Sequence, residues 1–458
     1  MNHTLLSGDV PRCLLRFAAP LLFSNFLQSF YSIADMAIVG QLVGSTGLAA
    51  VSSASMLVFI INSICTGVTM GGAVLVAQYK GADDAVSQAE VTHTLFVLSA
   101  LSAVLVTIAG LLAYRPILTL MDVPRAAMPH ALAYMQVICL GTIFVFGYNA
   151  ACSILRGLGD SIGPLLFVAI AAAVNIALDF LFVGGFQMGT RGAAAATVLS
   201  QGVSFSIALV FLRQRYTVFH FINNPFLIKY GYIKSILKIG IPSAIQMTVL
   251  NLSYLIVTGM LNGYGVAISA AAGIGLKINT FAAMPCWAIG QAVTTMAGQC
   301  IGAQMPQRAE QTAKTGLFCA VASGIIMTLA IQLFAGPAIS LFIPIHADPA
   351  VLQAGILYLR ICCSINFLAY AVMYIFDSFA TGVGDAFFAM FNALLHSITM
   401  RLLLSWLLAV KCGLGYIGIC LGEAIAPIIP AIVGLCYFLR GAWRSNDNAA
   451  RNYKKDSD

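Results

Sequence analysis

Apolar runs of about 20 residues or more recur along the whole chain, separated by short polar or glycine-rich breaks. Twelve such runs can be marked: about 13–40, 47–79, 92–114, 127–155, 161–183, 190–212, 235–262, 267–300, 312–334, 350–381, 386–410 and 416–439. Each is long enough to cross a hydrocarbon core of ~30 Å as a helix. The runs are continuous rather than alternating, which excludes a transmembrane β-barrel. The pattern therefore predicts an all-α polytopic membrane protein with twelve transmembrane helices. The first 12 residues are polar and the first run is too long for a signal-peptide core, so no cleaved leader is expected.

The runs also repeat. Leu15–Pro20 (LRFAAP) answers Leu237–Pro242 (LKIGIP), and Gln78–Ala82 (QYKGA) answers Gln299–Ala303 (QCIGA). Arg156–Asp160 (RGLGD) answers Thr381–Asp385 (TGVGD), and Gly189–Gly192 answers Gly415–Gly418. All four matches keep their order at an offset of about 221–226 residues. Six spans per half is an even number, so both halves enter the membrane from the same side and form parallel repeats. The expected organisation is an N-terminal six-helix lobe over 1–212 and a cytoplasmic basic linker over 213–234. A C-terminal six-helix lobe over 235–440 and a cytoplasmic polar tail over 441–458 follow. Two parallel lobes fit alternating access, in which one lobe rocks against the other.

Charge settles orientation. Only 9% of the 458 residues are charged, and the net charge is +7. With the N-terminus in the cytoplasm, sixteen of the 23 Lys and Arg fall on the cytoplasmic side, from Arg12 and Arg16 to Lys454 and Lys455. Only Arg115, Arg125, Arg191 and Lys411 fall outside; Lys277, Arg360 and Arg401 lie within spans. The positive-inside rule thus places both termini in the cytoplasm of a cell (plasma or inner) membrane, and the excess charge does not indicate nucleic acid. The twelve cysteines show no CxxC and no Cys/His metal spacing, and free Cys behaves as a small buried hydrophobe. No GxxxxGK[ST] sequence, no Ser/His/Asp arrangement and no HExxH are present. The chain is not expected to be an enzyme or to use ATP, and any pumping would run on an ion gradient.

Against this background the acids inside spans stand out. A charge at the bilayer centre costs on the order of 3 kcal/mol or more, and such residues mark ion or substrate paths. At ~1.5 Å per residue, Asp35 lies ~7 Å inside the outer boundary, Asp179 ~6 Å, Asn175 ~12 Å and Thr197 ~10 Å. Asn175 and Asp179 are four apart and share a helix face. Carboxylates, an amide carbonyl and a hydroxyl make a hard-cation site, a possible Na⁺ site at Asp35, Asn175, Asp179 and Thr197. The same groups suit a proton relay, because neighbouring carboxylates disfavour double ionisation.

The C-terminal half differs. By the offset, Arg401 falls beside the equivalent of Asn175 and Glu423 at that of Thr197, while Thr258 and its neighbours supply no acid matching Asp35. Arg401 and Glu423 are expected to form a structural ion pair, making this lobe a fixed frame and the other the switch. Asp377 lies near the cytoplasmic end of the tenth span, where headgroup water is expected to solvate it. His396 reads as a satisfied packing residue, and Lys277 and Arg360 as snorkelling side chains. Pro20 removes a backbone donor in the first span and is expected to bend it; Pro242 occupies the matching point of the seventh.

These residues resemble the multidrug and toxic compound extrusion (MATE) transporters of the MOP superfamily over about residues 10–440. The resemblance rests on the 6+6 plan, Pro20 with Asp35, Q-x-x-G-A at Gln78 and Gln299, and L-R-G-L-G-D at Leu155–Asp160. Asn175 and Asp179, followed by Gly192 and Thr197, add to it. It implies a V-shaped pair of six-helix bundles exporting small organic, often cationic, compounds in antiport with Na⁺ or H⁺. No cofactor beyond the coupling ion is implied, and a monomer in the lipid bilayer is expected. In the family, Asp35, Asn175, Asp179 and Thr197 match the N-lobe cation site and Pro20 the helix-bending proline. One branch adds a Glu in the seventh span and an Asp in the tenth, but here Gln246–Asn251 and Tyr370 carry no acid. The rival reading is a lipid-linked precursor flippase of the same superfamily, which would need a strongly basic cavity. A channel or membrane enzyme would need a filter or a catalytic constellation.

Overall fold

The computed structural model describes residues 5–121, 123–216, 229–342 and 349–444. Among these residues, ten helical segments are long and apolar enough to cross a membrane, and two bent helix pairs bring the candidate spans to twelve. The first half contains α1 (Val10–Leu42), α2 (Ser45–Gly81), α3 (Ala85–Leu120), α4 (Met128–Leu140) and α5 (Thr142–Gly157). It continues with α6 (Ile162–Asp179), a π-helical turn over Phe180–Gly185, and α7 (Gly189–Arg215). The second half contains α8 (Tyr230–Asn262), α9 (Val266–Gly302), α10 (Pro306–Ser340), α11 (Pro349–Cys362) and α12 (Ile365–Gly382). Its eleventh span is built from α13 (Ala386–Leu394), a π-helical stretch over Leu395–Leu403, α14 (Leu404–Trp406) and a π-turn over Leu407–Lys411. The last span is α15 (Gly415–Ile425) with α16 (Ile428–Arg440). No strand occurs among the described residues.

The repeat seen in the sequence is present in the backbone. Left-handed conformations pair off as Gly44 with Gly265, Asp83 with Gln304, Gly159 with Gly384, and Gly189 with Gly415. The Q-x-x-G-A pieces are helix ends of one design. In each, the peptide N–H two residues past the left-handed turn's opening reaches back, Asp84 to Tyr79 O at 3.1 Å and Met305 to Cys300 O at 2.8 Å. The glycine–aspartate pieces start the next helix. Asp160 accepts from Ile162 N and Gly163 N, and Asp385 accepts from Phe388 N. Their second oxygens accept from Tyr216 and Tyr437 hydroxyls at 3.1 and 3.0 Å. These motifs carry turn chemistry, not transport chemistry.

Both bent pairs are built alike. α4 and α5 meet at 53° across Gly141, and α11 and α12 at 45°. A bend frees helix carbonyls that lipid cannot satisfy, so neighbouring side chains must do so. At the first bend Thr107 and Thr142 both donate to Cys139 O, at 3.0 and 3.1 Å. At the second, Gln332 donates to Arg360 O at 2.9 Å, Ser364 to Ile361 O and Asn366 to Cys362 O.

The helices gather into two compact units, one of Ala19–Ala244 and one of Ile245–Asn448 with Met1–Ala18. The first runs past the expected border at 212 because the opening half of α8 packs on α2. Gly67 and Gly71 make this possible: a Cβ at Gly71 would stand 2.2 Å from Ile236 O, and one at Gly67 2.6 Å from Gly240 O. This is close small-xxx-small packing of membrane helices. Lys229, at the mouth of α8, forms an ion pair of 2.6 Å with Glu90 of α3. Most of the expected linker (217–228) and of the expected tail (445–458) lies outside the described residues. α1 and α8 are continuous helices through Pro20 and Pro242, and each divides between the units beside its proline. In α1, the Ser24 hydroxyl donates to Pro20 O at 2.9 Å.

Candidate functional site

Within the unit Ala19–Ala244, the four oxygen-bearing residues singled out from their depth come from α1, α6 and α7. Asp35 is 9% exposed, Asn175 1% and Asp179 0%. The Asp35 and Asp179 carboxyls lie within hydrogen-bonding reach of each other. Asn175 Nδ2 donates to Thr197 Oγ1 at 3.4 Å, a long bond that ties α6 to α7. The structure thus joins these residues as two touching pairs on the face that Asn175 and Asp179 share.

What remains bare defines the chemistry. Asp35 Oδ1, both carboxyl oxygens of Asp179, and Asn175 Oδ1 are buried with no protein donor. A buried acceptor without a partner costs about 1–3 kcal/mol, more when charged. Four such oxygens on three side chains form an acceptor-rich cluster that a cation satisfies, or that a proton shared between the carboxyls relieves. No group of three or more His, Cys, Asp and Glu suited to a transition metal occurs among the described residues; the donors are hard oxygens.

Local backbone explains the placement. Asp179 is the last residue of α6 before the π-turn Phe180–Gly185, and such turns concentrate at functional sites. Gly192 of α7 lets the turn lie close, since a Cβ there would come 3.1 Å from the Phe182 carbonyl carbon. Two residues escaped the sequence reading. Tyr134 of α4 is buried near both carboxyls, and Tyr31, one helical turn before Asp35, is near that carboxyl. Both are tyrosines in apolar runs, and only the i, i+4 spacing of Tyr31 and Asp35 could have flagged either.

The other unit overturns three expectations. Arg401 and Glu423 do not form an ion pair. Arg401, 1% exposed, donates to Ser253 Oγ at 3.0 Å and lies over the Tyr254 ring at 3.8 Å, both on α8. Glu423 instead accepts from the Tyr358 hydroxyl at 3.3 Å and the Cys362 thiol at 3.7 Å, both on α11. Equal depth does not fix the direction in which a side chain leaves its helix. Asp377 is not solvated near the helix end: it is 2% exposed and turned inward. His396 is not a satisfied packing residue, because it is fully buried with both ring nitrogens bare. Lys277 and Arg360 are exposed.

A multi-span helical bundle with an acceptor-rich site buried between its helices is the make-up of a membrane transporter. The comparisons agree. The MatE family model matches residues 20–181 and 242–407. Among relatives, the probable multidrug resistance protein YpnP of Bacillus subtilis is 29% identical over 97% of this chain and 98% of its own. A second from Bacillus subtilis, the probable multidrug resistance protein YoeA, is 30% identical over 73% of this chain and 74% of its own. A solved MOP superfamily transporter from Pyrococcus furiosus shares the fold at a TM-score of 0.91 and 23% identity, over 96% of this chain and 98% of that one. The chain belongs to the MatE family, a family of transporters rather than enzymes.

Proposed function

We propose that this protein is a secondary active multidrug exporter of the cell membrane. It moves small organic, often cationic, compounds outward in antiport with Na⁺ or H⁺, by alternating access of its two halves. Both termini face the cytoplasm, the chain acts as a monomer, and no ATP is used. The coupling ion is cargo, taken up at Asp35, Asp179, Asn175 and Thr197.

One observation carries the reading: three buried side chains present four acceptor oxygens, two of the side chains being carboxyls in mutual reach. Two ionised carboxylates at that separation, without a counter-ion, are unfavourable in a low-dielectric interior. Binding Na⁺, or a proton between the carboxyls, removes the repulsion; loss of the ion restores it. That difference is what couples an ion to a conformational equilibrium, because a ligand shifts two states only by its differential affinity for them. The relatives YpnP and YoeA, both probable multidrug resistance proteins, support the substrate class. The flippase reading needs a strongly basic cavity. Of the three basic residues within spans, two are exposed and the third, Arg401, is sealed against Tyr254.

The test is ethidium efflux from membranes of known orientation, under separately imposed Na⁺ and H⁺ gradients. Wild type should transport with one gradient, and Asp35→Asn should lose at least about tenfold of that rate, about 1.4 kcal/mol of driving interaction. Gradient-driven efflux that survives Asp35→Asn would remove the coupling role; efflux indifferent to both gradients would remove antiport.

A further inference from the structure

Asp377 and Asn392 form a buried pair in the C-terminal unit that the exporter reading does not use. Asp377 lies on α12, five residues before its end, and Asn392 on α13; they are 2% and 0% exposed. Asn392 Nδ2 donates to Asp377 Oδ1 at 2.7 Å and to Pro430 O of α16 at 3.2 Å, so both amide hydrogens are engaged. Asn392 Oδ1 is buried and has no donor.

The surroundings offer no charge. Among the described residues no Lys, Arg or His comes within 4 Å of the Asp377 carboxyl. α12 packs on α9, α10, α13, α15 and α16. On its own helix the nearest titratable group is Tyr374, one turn earlier. From α9 come Cys286, beside Tyr374, and Thr294, whose hydroxyl is bonded to Ser378 O. The π-helical stretch that continues α13 carries His396, one turn past Asn392. α16 carries Tyr437, already bonded to Asp385. α10 carries Cys319 and, in its first turns, Glu310 and Lys314, which are paired with each other. α15 carries Glu423, bonded to Tyr358 and Cys362.

An ionised carboxylate with one neutral donor and no counter-charge is a costly occupant of such a place. The bare Asn392 oxygen shows which form fits. A neutral carboxylic acid accepts from the amide N–H through one oxygen and donates its O–H to the amide oxygen through the other. That reciprocal pair satisfies the acceptor that the ionised form leaves orphaned. We propose that Asp377 and Asn392 are a proton-binding site of the C-terminal unit, holding one proton on Asp377 in a carboxylic acid–amide pair. The proton is taken from water and returned to it, and no other bond changes. At the repeat offset of Gly159 and Gly384, the corresponding positions in the first half are Cys152 and Phe167. The site therefore belongs to the second half alone and is not an inherited copy of the Asp35 cluster. Its proton binding stands whichever substrate the protein carries.

Infrared spectra of the purified full chain in lipid at neutral pH test this, with wild type compared with Asp377→Asn and Asn392→Ala. Wild type minus Asp377→Asn should show the C=O stretch of a protonated carboxyl, moving to lower frequency in D₂O and persisting with added Na⁺. Asn392→Ala should keep that band and move it to higher frequency, because the amide partner is gone. Carboxylate stretches in place of the protonated band would overturn the proposal, as would their appearance on adding Na⁺, or a band unmoved by Asn392→Ala. Asp377→Asn is near-isosteric with the neutral acid and should fold. If it does not, the band shift in Asn392→Ala still decides the question.

Discussion

At the scale of single residues, the buried polar groups sort by whether the protein itself satisfies them. Arg401 is held by Ser253 and Tyr254 and not by Glu423. A double-mutant cycle in thermal unfolding should therefore give a coupling below about 0.5 kcal/mol between Arg401→Gln and Glu423→Gln. Arg401→Gln with Tyr254→Leu should couple by about 1 kcal/mol or more, as a desolvated cation–π contact does. A larger coupling to Glu423 than to Tyr254 would refute this assignment. The Asp35 cluster was legible because two acids in apolar runs are rare and their depths agree, and because Asn175 and Asp179 share a face by spacing alone. The errors have one physical source. Distance along a helix gives depth but not the direction a side chain leaves, so equal depth does not pair Arg401 with Glu423. Asp377, near a helix end by sequence, turns inward to Asn392 rather than to headgroup water.

At the scale of elements, composition sets where helices run and glycine sets how closely they meet. All twelve apolar runs correspond to candidate spans, but the bends at Gly141 and between α11 and α12 were not foreseen. A continuous apolar run says nothing about a bend whose freed carbonyls are satisfied from other helices, by Thr107 and Gln332. The contact of α2 with α8 was equally hidden, since it needs two glycines far from their partner in sequence. Gly71→Ala should lower thermal stability by about 1–3 kcal/mol, the range for overpacking, because the partner atom is the backbone oxygen of Ile236. The same change at Gly273, which has open space around it, should cost far less. Equal costs at the two sites would contradict the packing argument. The two capping aspartates make a matched pair: Asp160→Ala and Asp385→Ala should each cost about 1 kcal/mol in the same assay. A difference of several-fold would show that the repeated turns are not energetic equivalents.

At the scale of the whole molecule, the backbone is duplicated and the chemistry is not. Paired left-handed turns, paired caps and paired bends recur in the same order at offsets of about 221–226 residues. Among the described residues, the acceptor-rich cluster of Asp35, Asn175 and Asp179 lies in the first half and the Asp377–Asn392 pair in the second. If the cluster in the first half couples the ion, exchange should depend on its carboxylates. The most direct measurement is substrate-driven ion counterflow: purified protein in sealed vesicles, an imposed ethidium gradient, and internal Na⁺ and pH recorded together. The account predicts that Na⁺ or H⁺ moves opposite to ethidium in wild type, and that the counterflow is lost in both Asp35→Asn and Asp179→Asn. Counterflow at the wild-type rate in Asp179→Asn would contradict it.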